Sequence, residues 1–212
     1  MADIFQLLPT KRQNLLFSAT LGKDINTITE ILLHNPVKIQ VEEATQNLDL
    51  ITQQCYAVTE ERKGPMLRYL IKEQQMQQVL VFASSIHRAD AIVEKLKAHG
   101  LQAAAMHSKK SQGARTDALA NFKSGKINVL VATDLASRGI DIQFLPFVIN
   151  YELPRSPKDY IHRIGRTGRA SAAGTAISLI TEEEQHHFAI IQKKMGKKVD
   201  IVETKDLNLQ GF

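Results

Sequence analysis

The sequence predicts an α/β domain in which a central, mostly parallel β-sheet is flanked by helices. Three observations carry that expectation. Short apolar runs rich in Val, Ile and Phe recur along the chain, the pattern of strands buried on both faces of a parallel sheet. Amphipathic segments of helical length lie between them. The two kinds alternate strand–helix–strand at a spacing that calls for right-handed crossovers.

Taken in chain order, residues 11–20 (KRQNLLFSAT) read as a strand ending in a Ser-Ala-Thr turn. Residues 21–35 (LGKDINTITEILLHN) read as one helix stopped before Pro36, because the residue ahead of a proline is pushed out of the helical region. Residues 37–59 hold polar, linker-like residues between two strand candidates, which places a domain boundary near 42–48. VLVFA (79–83), NVLVAT (128–133), FVINY (147–151) and GTAISLI (174–180) are the strand candidates that follow. Between them lie helices over 86–100, 111–125 and 156–168. In the first, Ile86, Ala89, Ile92, Val93 and Leu96 recur at helical spacing, and Gly100 stands where a C-terminal cap belongs. In the second, Ser111 is the N-cap candidate and Gly125 closes the helix. A terminal amphipathic helix covers TEEEQHHFAIIQKKM; His186 and His187 in it have no further ligand at metal spacing.

The totals narrow the class. The 212 residues suit one large domain, or one domain with an appendage. Hydrophobic residues make up 43% and charged residues 23%, a globular composition. A net charge of +5 and a pI near 9.3 are compatible with a polyanionic partner. The single cysteine, Cys55, excludes an internal disulfide and lies in a strand-like stretch, so a buried, inert thiol in a reducing compartment is expected. No apolar run is long enough to span a bilayer, and MADIFQLLPTKRQ lacks the basic-then-apolar order of a signal peptide. The expected location is cytoplasmic, with no membrane partner.

One stretch asks for a chemical explanation. His162–Arg169 (HRIGRTGR) crowds three arginines and a histidine into eight residues, and like charges that close repel. Ligands of such sheets bind at the carboxyl ends of the strands. ATDLASRGIDI (132–142), SQGAR (111–115) and HRIGRTGR (162–169) converge on that edge. Helix-start amides and arginine forks both favour phosphate oxygens, so the residues alone point to a phosphate-rich ligand, with Asp141 able to accept from a sugar hydroxyl.

Together SAT, ATDLASRGIDI, VINYELP and YIHRIGRTGR resemble the DEAD-box family of ATP-dependent RNA helicases, and MHSKKSQGAR looks like its bacterial members. The likeness runs from about Leu8 to Ile180 with the motifs in order and correctly spaced. It implies a RecA-like three-layer sandwich, one of two lobes that bind ATP and RNA across the cleft between them. The sequence contains no G-x-x-x-x-G-K-[ST] loop and no Asp-Glu dipeptide. The resemblance is therefore to the second lobe, over 43–205, preceded by a remnant of the first lobe and a linker over 1–42 and followed by a tail over 206–212.

The resemblance also implies roles. Arg166 and Arg169 match arginine fingers that meet the γ-phosphate, where a planar, permanently charged guanidinium stabilises developing charge. Asp141 matches a ribose contact, Gly139 keeps the backbone open beside the nucleotide, and Arg138 belongs to the same phosphate network. Ser84, Ser85, Gln112, Gly113, Arg115, Thr133 and Asp134 match contacts to the RNA backbone, which carry little sequence information. Ser18, Thr20 and His162 match residues that couple the lobes. ATP with Mg²⁺, both needing the first lobe for tight binding, RNA and that first lobe are the implied ligands and partners. Alone, this chain is expected not to hydrolyse ATP. Without the first lobe's sheet, residues 1–40 are expected to be disordered or packed differently. Two other readings stay open: a non-catalytic RNA- or protein-binding module, and a related motor acting on DNA.

Overall fold

The apolar runs of the sequence become strands of one sheet. The computed structural model describes residues 7, 9, 11–17, 33, 36–39, 48–137, 142, 144–168 and 174–212. The strands are β1 Ile51–Ala57, β2 Val79–Phe82, β3 Ala103–Met106, β4 Val129–Ala132, β5 Phe147–Asn150, β6 Gly174–Ile180 and β7 Ile201–Glu203. They lie in the order β3-β4-β2-β5-β6-β1-β7, and every pairing is parallel. The helices are α1 Glu60–Glu73, α2 Ile86–Ala98, α3 Gln112–Lys123, the short α4 Asp134–Ser137, α5 Pro157–Ile164 and α6 Gln185–Met195.

Side chains alternate across a strand, so each central strand feeds two cores. Val79, Val81, Val129, Val131 and Ile149 pack on one face with Met66, Leu67, Leu70 and Ile71 of α1 and Ala89, Ile92, Val93 and Leu96 of α2. Leu80, Phe82, Leu130, Ala132 and Val148 pack on the other with Ala118 and Phe122 of α3. Further along that second face, Tyr160 and Ile164 of α5 and Phe188 and Ile191 of α6 meet Ile51, Cys55, Ala176 and Ile180. Helices cover both faces, which makes the RecA-like three-layer sandwich.

Local chemistry sets where the helices begin and end. Ser85, Ser111 and Ser156 cap α2, α3 and α5, each side-chain oxygen accepting from the amide three residues on. Gly100 and Gly125 follow α2 and α3 with φ of +78° and +75°, a left-handed geometry that costs glycine little. Gly174 answers to packing instead. A Cβ there would stand 1.7 Å from Thr167 Oγ1 and 2.7 Å from Gly168 N.

The chain divides into two compact units, Met1–Ala44 and Thr45–Phe212. In the first, the strand expected over 11–20 is not formed by the described part: residues 12–17 have no regular structure, and Leu15 and Phe17 are 71% and 88% exposed. A strand needs a neighbour for its amides, and none of residues 11–17 is paired in a strand. Ser18, Thr20, nearly all of the helix expected over 21–35 and most of residues 1–40 lie outside the described residues. In the second unit, residues 206–212 are not a loose tail. Arg62 Nη2 donates to the carbonyls of Thr204 (2.8 Å) and Leu207 (2.6 Å), and Phe212 sets its ring edge-on to Tyr69 at 5.2 Å. Leu207 and Leu209 add apolar surface to the α1–α2 core. This contact, made with residues about 140 positions earlier, left no local pattern in the sequence.

Cys55 is fully buried, and burial pushes its thiol up to about 12, with the Glu184 charge adding to the shift. The thiolate is the reactive form, so the folded chain should react with a disulfide reagent at pH 8 at least about a hundredfold more slowly than the urea-unfolded chain. Equal rates, followed by absorbance of the released thiolate, would show that the thiol is not held in this core.

Candidate functional site

β4, β2 and β5 are adjacent in the sheet, and their carboxyl ends release Thr133–Asp134, Ser84–Ser85 and Glu152 side by side. Two features of that edge differ in character: a buried guanidinium and an open groove.

The guanidinium belongs to Arg163, which is 2% exposed. On α5 it follows Tyr160 by three residues and precedes Ile164 and Thr167, so it occupies the helix's buried stripe. Its Nε and Nη2 donate to Asp134 Oδ1 and Oδ2 at 2.6 and 2.8 Å, a bidentate pair. Nη1 donates to Asn150 Oδ1 at 3.0 Å and to the Glu152 carbonyl at 2.7 Å. The plane lies over the Phe82 ring, 4.8 Å from its centroid. Asn150 reaches on to Ser178, and the Tyr160 hydroxyl shares that serine at 3.1 Å. One of the three crowded arginines is thus a structural cation with its own carboxylate.

Arg166 lies one turn on. Its carbonyl accepts from the Leu145 amide at 3.1 Å. It lines a small cavity of about 30 Å³ together with Asp134, Asp159, His162 and Arg163. His162 is exposed. Gly168, at φ +62°, is needed because a Cβ would stand 2.6 Å from Ile51 Cγ1, so this glycine permits close packing against β1. Arg169, Arg138, Gly139 and Asp141 lie outside the described residues.

The groove has a volume of about 720 Å³. Ser84, Ser85 and Thr133 line it, with Asp90 of α2 and Lys109 of the β3–α3 loop opposite. Asp90 accepts from His107 Nε2 at 3.1 Å and from Lys110 Nζ at 3.0 Å, and these partners, His107 first, hold its carboxyl below the usual range. The pairing ties the loop that leads into α3 to the flank of α2. Gln112, Gly113 and Arg115 sit on the first turn of α3 and do not line the groove. Gln112 and Gly113 are exposed, and Arg115 Nη1 donates to Gln112 Oε1 at 3.3 Å. The structure therefore brings Ser84, Ser85 and Thr133 together, and separately Asp134, His162 and Arg166, while Gln112, Gly113 and Arg115 line neither cavity.

Asp134 faces inward to Arg163, so its carboxylate is occupied by a cation of its own chain. Glu152 was not legible as a site residue. Its carboxylate accepts from the Ser84 amide at 2.7 Å and from Arg88 Nε at 3.0 Å. Burial pushes its carboxyl up, but the hydrogen bonds from Ser84 and Arg88 outweigh burial and leave it below its ordinary value.

The hydroxyls of Ser84, Ser85 and Thr133 and the Lys109 ammonium line the groove and can donate to an anion, alongside the Asp90 and Glu94 carboxylates. Among the described residues no group of three or more His, Cys, Asp or Glu could hold a metal ion, and Asp134 is already spent on Arg163. Among the described residues, this edge offers donors to an anion and no ligand set for Mg²⁺.

Two measurements check this arrangement. Arg163→Ala removes one member of a buried pair and strands Asn150 and part of Asp134; it should cost about 3 kcal/mol in urea unfolding, while Asp134→Asn, at a carboxylate about a third exposed, should cost less. A loss under 0.5 kcal/mol for both would mean the hub is not formed. Because the folded Glu152 carboxyl titrates below its unfolded value, its stabilisation is present above the ordinary carboxylate range and is lost as pH falls through the folded value. The stability gap between wild type and Glu152→Gln should therefore narrow on acidification; a gap independent of pH contradicts the pairing.

Residues 62–171, just over half of the chain, match the helicase conserved C-terminal domain. The chain is 37% identical over 203 residues to DEAD-box ATP-dependent RNA helicase 36 of Arabidopsis thaliana, covering 94% of this chain and 41% of that protein. It spans about two fifths of the length of the curated relatives it matches. The structure of the C-terminal domain of the DEAD-box protein Dbp5 superposes with a TM-score of 0.71 at 30% identity, covering 78% of this chain and 97% of that one. Saccharomyces cerevisiae Dbp5 bound to RNA and ADP BeF3 gives a TM-score of 0.76 at 29% identity, with 96% and 54% covered. With the fold, the spacing of its motifs and these matches in agreement, this chain belongs to the helicase conserved C-terminal domain family, among the C-terminal domains of DEAD-box RNA helicases.

Proposed function

We propose that this chain is the second RecA-like lobe of an ATP-dependent RNA helicase. In that role it supplies Arg166 and Arg169 to the transferring phosphate and the groove edge to an RNA backbone. One observation supports the reading above the others. The buried Arg163 anchors the same helix end that carries His162 and Arg166, and it does so beside the groove lined by Ser84, Ser85 and Thr133. Phosphate chemistry and backbone binding then share one rigid strand edge. Dbp5, to which this chain is similar, has been solved bound to RNA and ADP BeF3.

The division of labour follows from the residues. Ser84, Ser85, Thr133 and the turn of Gln112, Gly113 and Arg115 hold phosphate and sugar, and so bind with little regard to sequence. The Asp134 carboxylate, turned to Arg163, serves this interface by orienting the strand end. Arg166 and Arg169 stabilise charge that develops on the γ-phosphate. Asp141 holds the ribose, with Gly139 and Arg138 beside it. His162, with Ser18 and Thr20, couples the lobes. Mg²⁺ and the phosphate cradle belong to the first lobe, so the chain alone is inactive in ATP hydrolysis. No helix among the described residues is long and apolar enough to cross a membrane, and the working compartment of this reading is the cytoplasm.

RNA-stimulated ATP hydrolysis tests the reading, measured on this chain alone and on the chain joined to a first helicase lobe carrying the phosphate-binding loop and the DEAD motif. The joined protein should turn over and the chain alone should not. Arg166→Ala in the joined protein should lower kcat about a thousandfold. Hydrolysis by the chain alone would sink the division of labour. Salt-dependent RNA binding that ATP and the first lobe leave unchanged would favour the non-catalytic binding module. Stimulation by DNA as strong as that by RNA would favour a DNA motor.

A further inference from the structure

Glu152 touches both features of the strand edge. Its backbone carbonyl accepts from Arg163 Nη1 at 2.7 Å, inside the guanidinium hub. Its carboxylate accepts from the Ser84 amide at 2.7 Å through Oε2 and from Arg88 Nε at 3.0 Å through Oε1. Arg88 is also paired with Glu60, and its own amide donates to Ser85 Oγ at 3.2 Å, the cap of α2. So one residue at the end of β5 grips the hub by its main chain and the Ser84–Ser85 edge of the groove by its side chain.

We propose that Glu152 is a positioning residue: it fixes the serine edge of the groove relative to the Arg163 hub, so that a nucleic-acid backbone lying along Ser84–Ser85 keeps a set register to Arg163 and to Arg166 beyond the end of α5. The inference rests on the functional reading above. A carboxylate is suited to the task because it accepts from two donors at once, one of them charged. A glutamine at the same place has one acceptor oxygen, and its NH₂ would face the second donor. Glu152 is only 14% exposed on its side chain, so solvent does little to replace a lost partner. The residue does not touch a substrate; it acts through Ser84.

The test compares wild type, Glu152→Gln and Glu152→Ala of the 212-residue chain. Binding of a fluorescent single-stranded oligouridylate is followed by anisotropy over a salt series, alongside urea unfolding. Glu152→Ala should weaken binding about tenfold and Glu152→Gln about threefold. The dependence of log affinity on log salt should stay as in wild type, since no phosphate-binding cation has been removed. A general loosening of the fold would flatten that slope, and that outcome overturns the positioning role. Equal affinity of Glu152→Ala and wild type, with the fold retained, overturns this inference alone. A wild-type chain that binds the oligouridylate neither alone nor joined to a first helicase lobe overturns the functional reading and this inference with it. Should the alanine variant not fold, Glu152→Gln, of the same shape, decides: an undiminished affinity rejects the proposal.

Discussion

A single buried cation organises the carboxyl edge of this sheet. Arg163 is held by Asp134 after β4, by Asn150 and the Glu152 carbonyl at the end of β5, and by the Phe82 ring at the end of β2. A guanidinium taken out of water is costly unless its donors are matched, and here four hydrogen bonds match them while the Phe82 ring covers its face. The cost of leaving any of them unmade is what fixes the strand ends with respect to each other. The groove, the small cavity beside Arg166 and the start of α4 all take their positions from that constraint.

This changes the meaning of the crowded stretch His162–Arg169. Three like charges in eight residues suggested a common anion. The structure gives the two of them it describes different places. Arg163 falls on the buried stripe with Tyr160 and Ile164 and is neutralised internally, while Arg166, just past the helix end, is half-buried and lines the small cavity. An arginine spaced three from a core tyrosine and next to a core isoleucine was the available signal. It is easily overlooked, because charge in a sequence is ordinarily counted toward the surface.

The same reasoning explains what was legible. β2, β4, β5 and β6 were plain because each is a short apolar run buried on both faces, and α2, α3 and α5 were plain because serine caps and glycine stops bracket them. α1 was not read. Gly64 and Pro65 interrupt its first half, and its buried stripe includes Lys63 and Arg68, so its periodicity is blurred by residues that ordinarily mark loops or surfaces. Lys63 lies there because Glu184 at 2.9 Å and Glu60 at 3.5 Å receive it. β7 went unread because its three residues carry no alternation, and it exists only by pairing with β1. At the edge, the resemblance singled out Ser84, Ser85 and Thr133, and the structure places them along one groove. Glu152 and the His107–Asp90–Lys110 cluster were not, since each owes its place to partners distant in the chain.

Under the proposed function, rigidity at this edge would serve the chemistry of phosphates. A guanidinium stabilises developing charge only if it is already in place, because rearranging it during the reaction would consume the stabilisation it offers. An arginine on a surface helix end has many rotamers and a mobile backbone. Burying its neighbour three residues earlier in a bidentate pair removes the backbone freedom, and the Leu145 amide bonded to the Arg166 carbonyl removes more. Thr167, fully buried, donates its hydroxyl to the Leu145 carbonyl and closes the same turn from the other side. Gly174 leaves room for that threonine where any side chain would collide with it. Arg163, Leu145, Thr167 and Gly174 thus determine where Arg166, at the lining of the cavity, can stand.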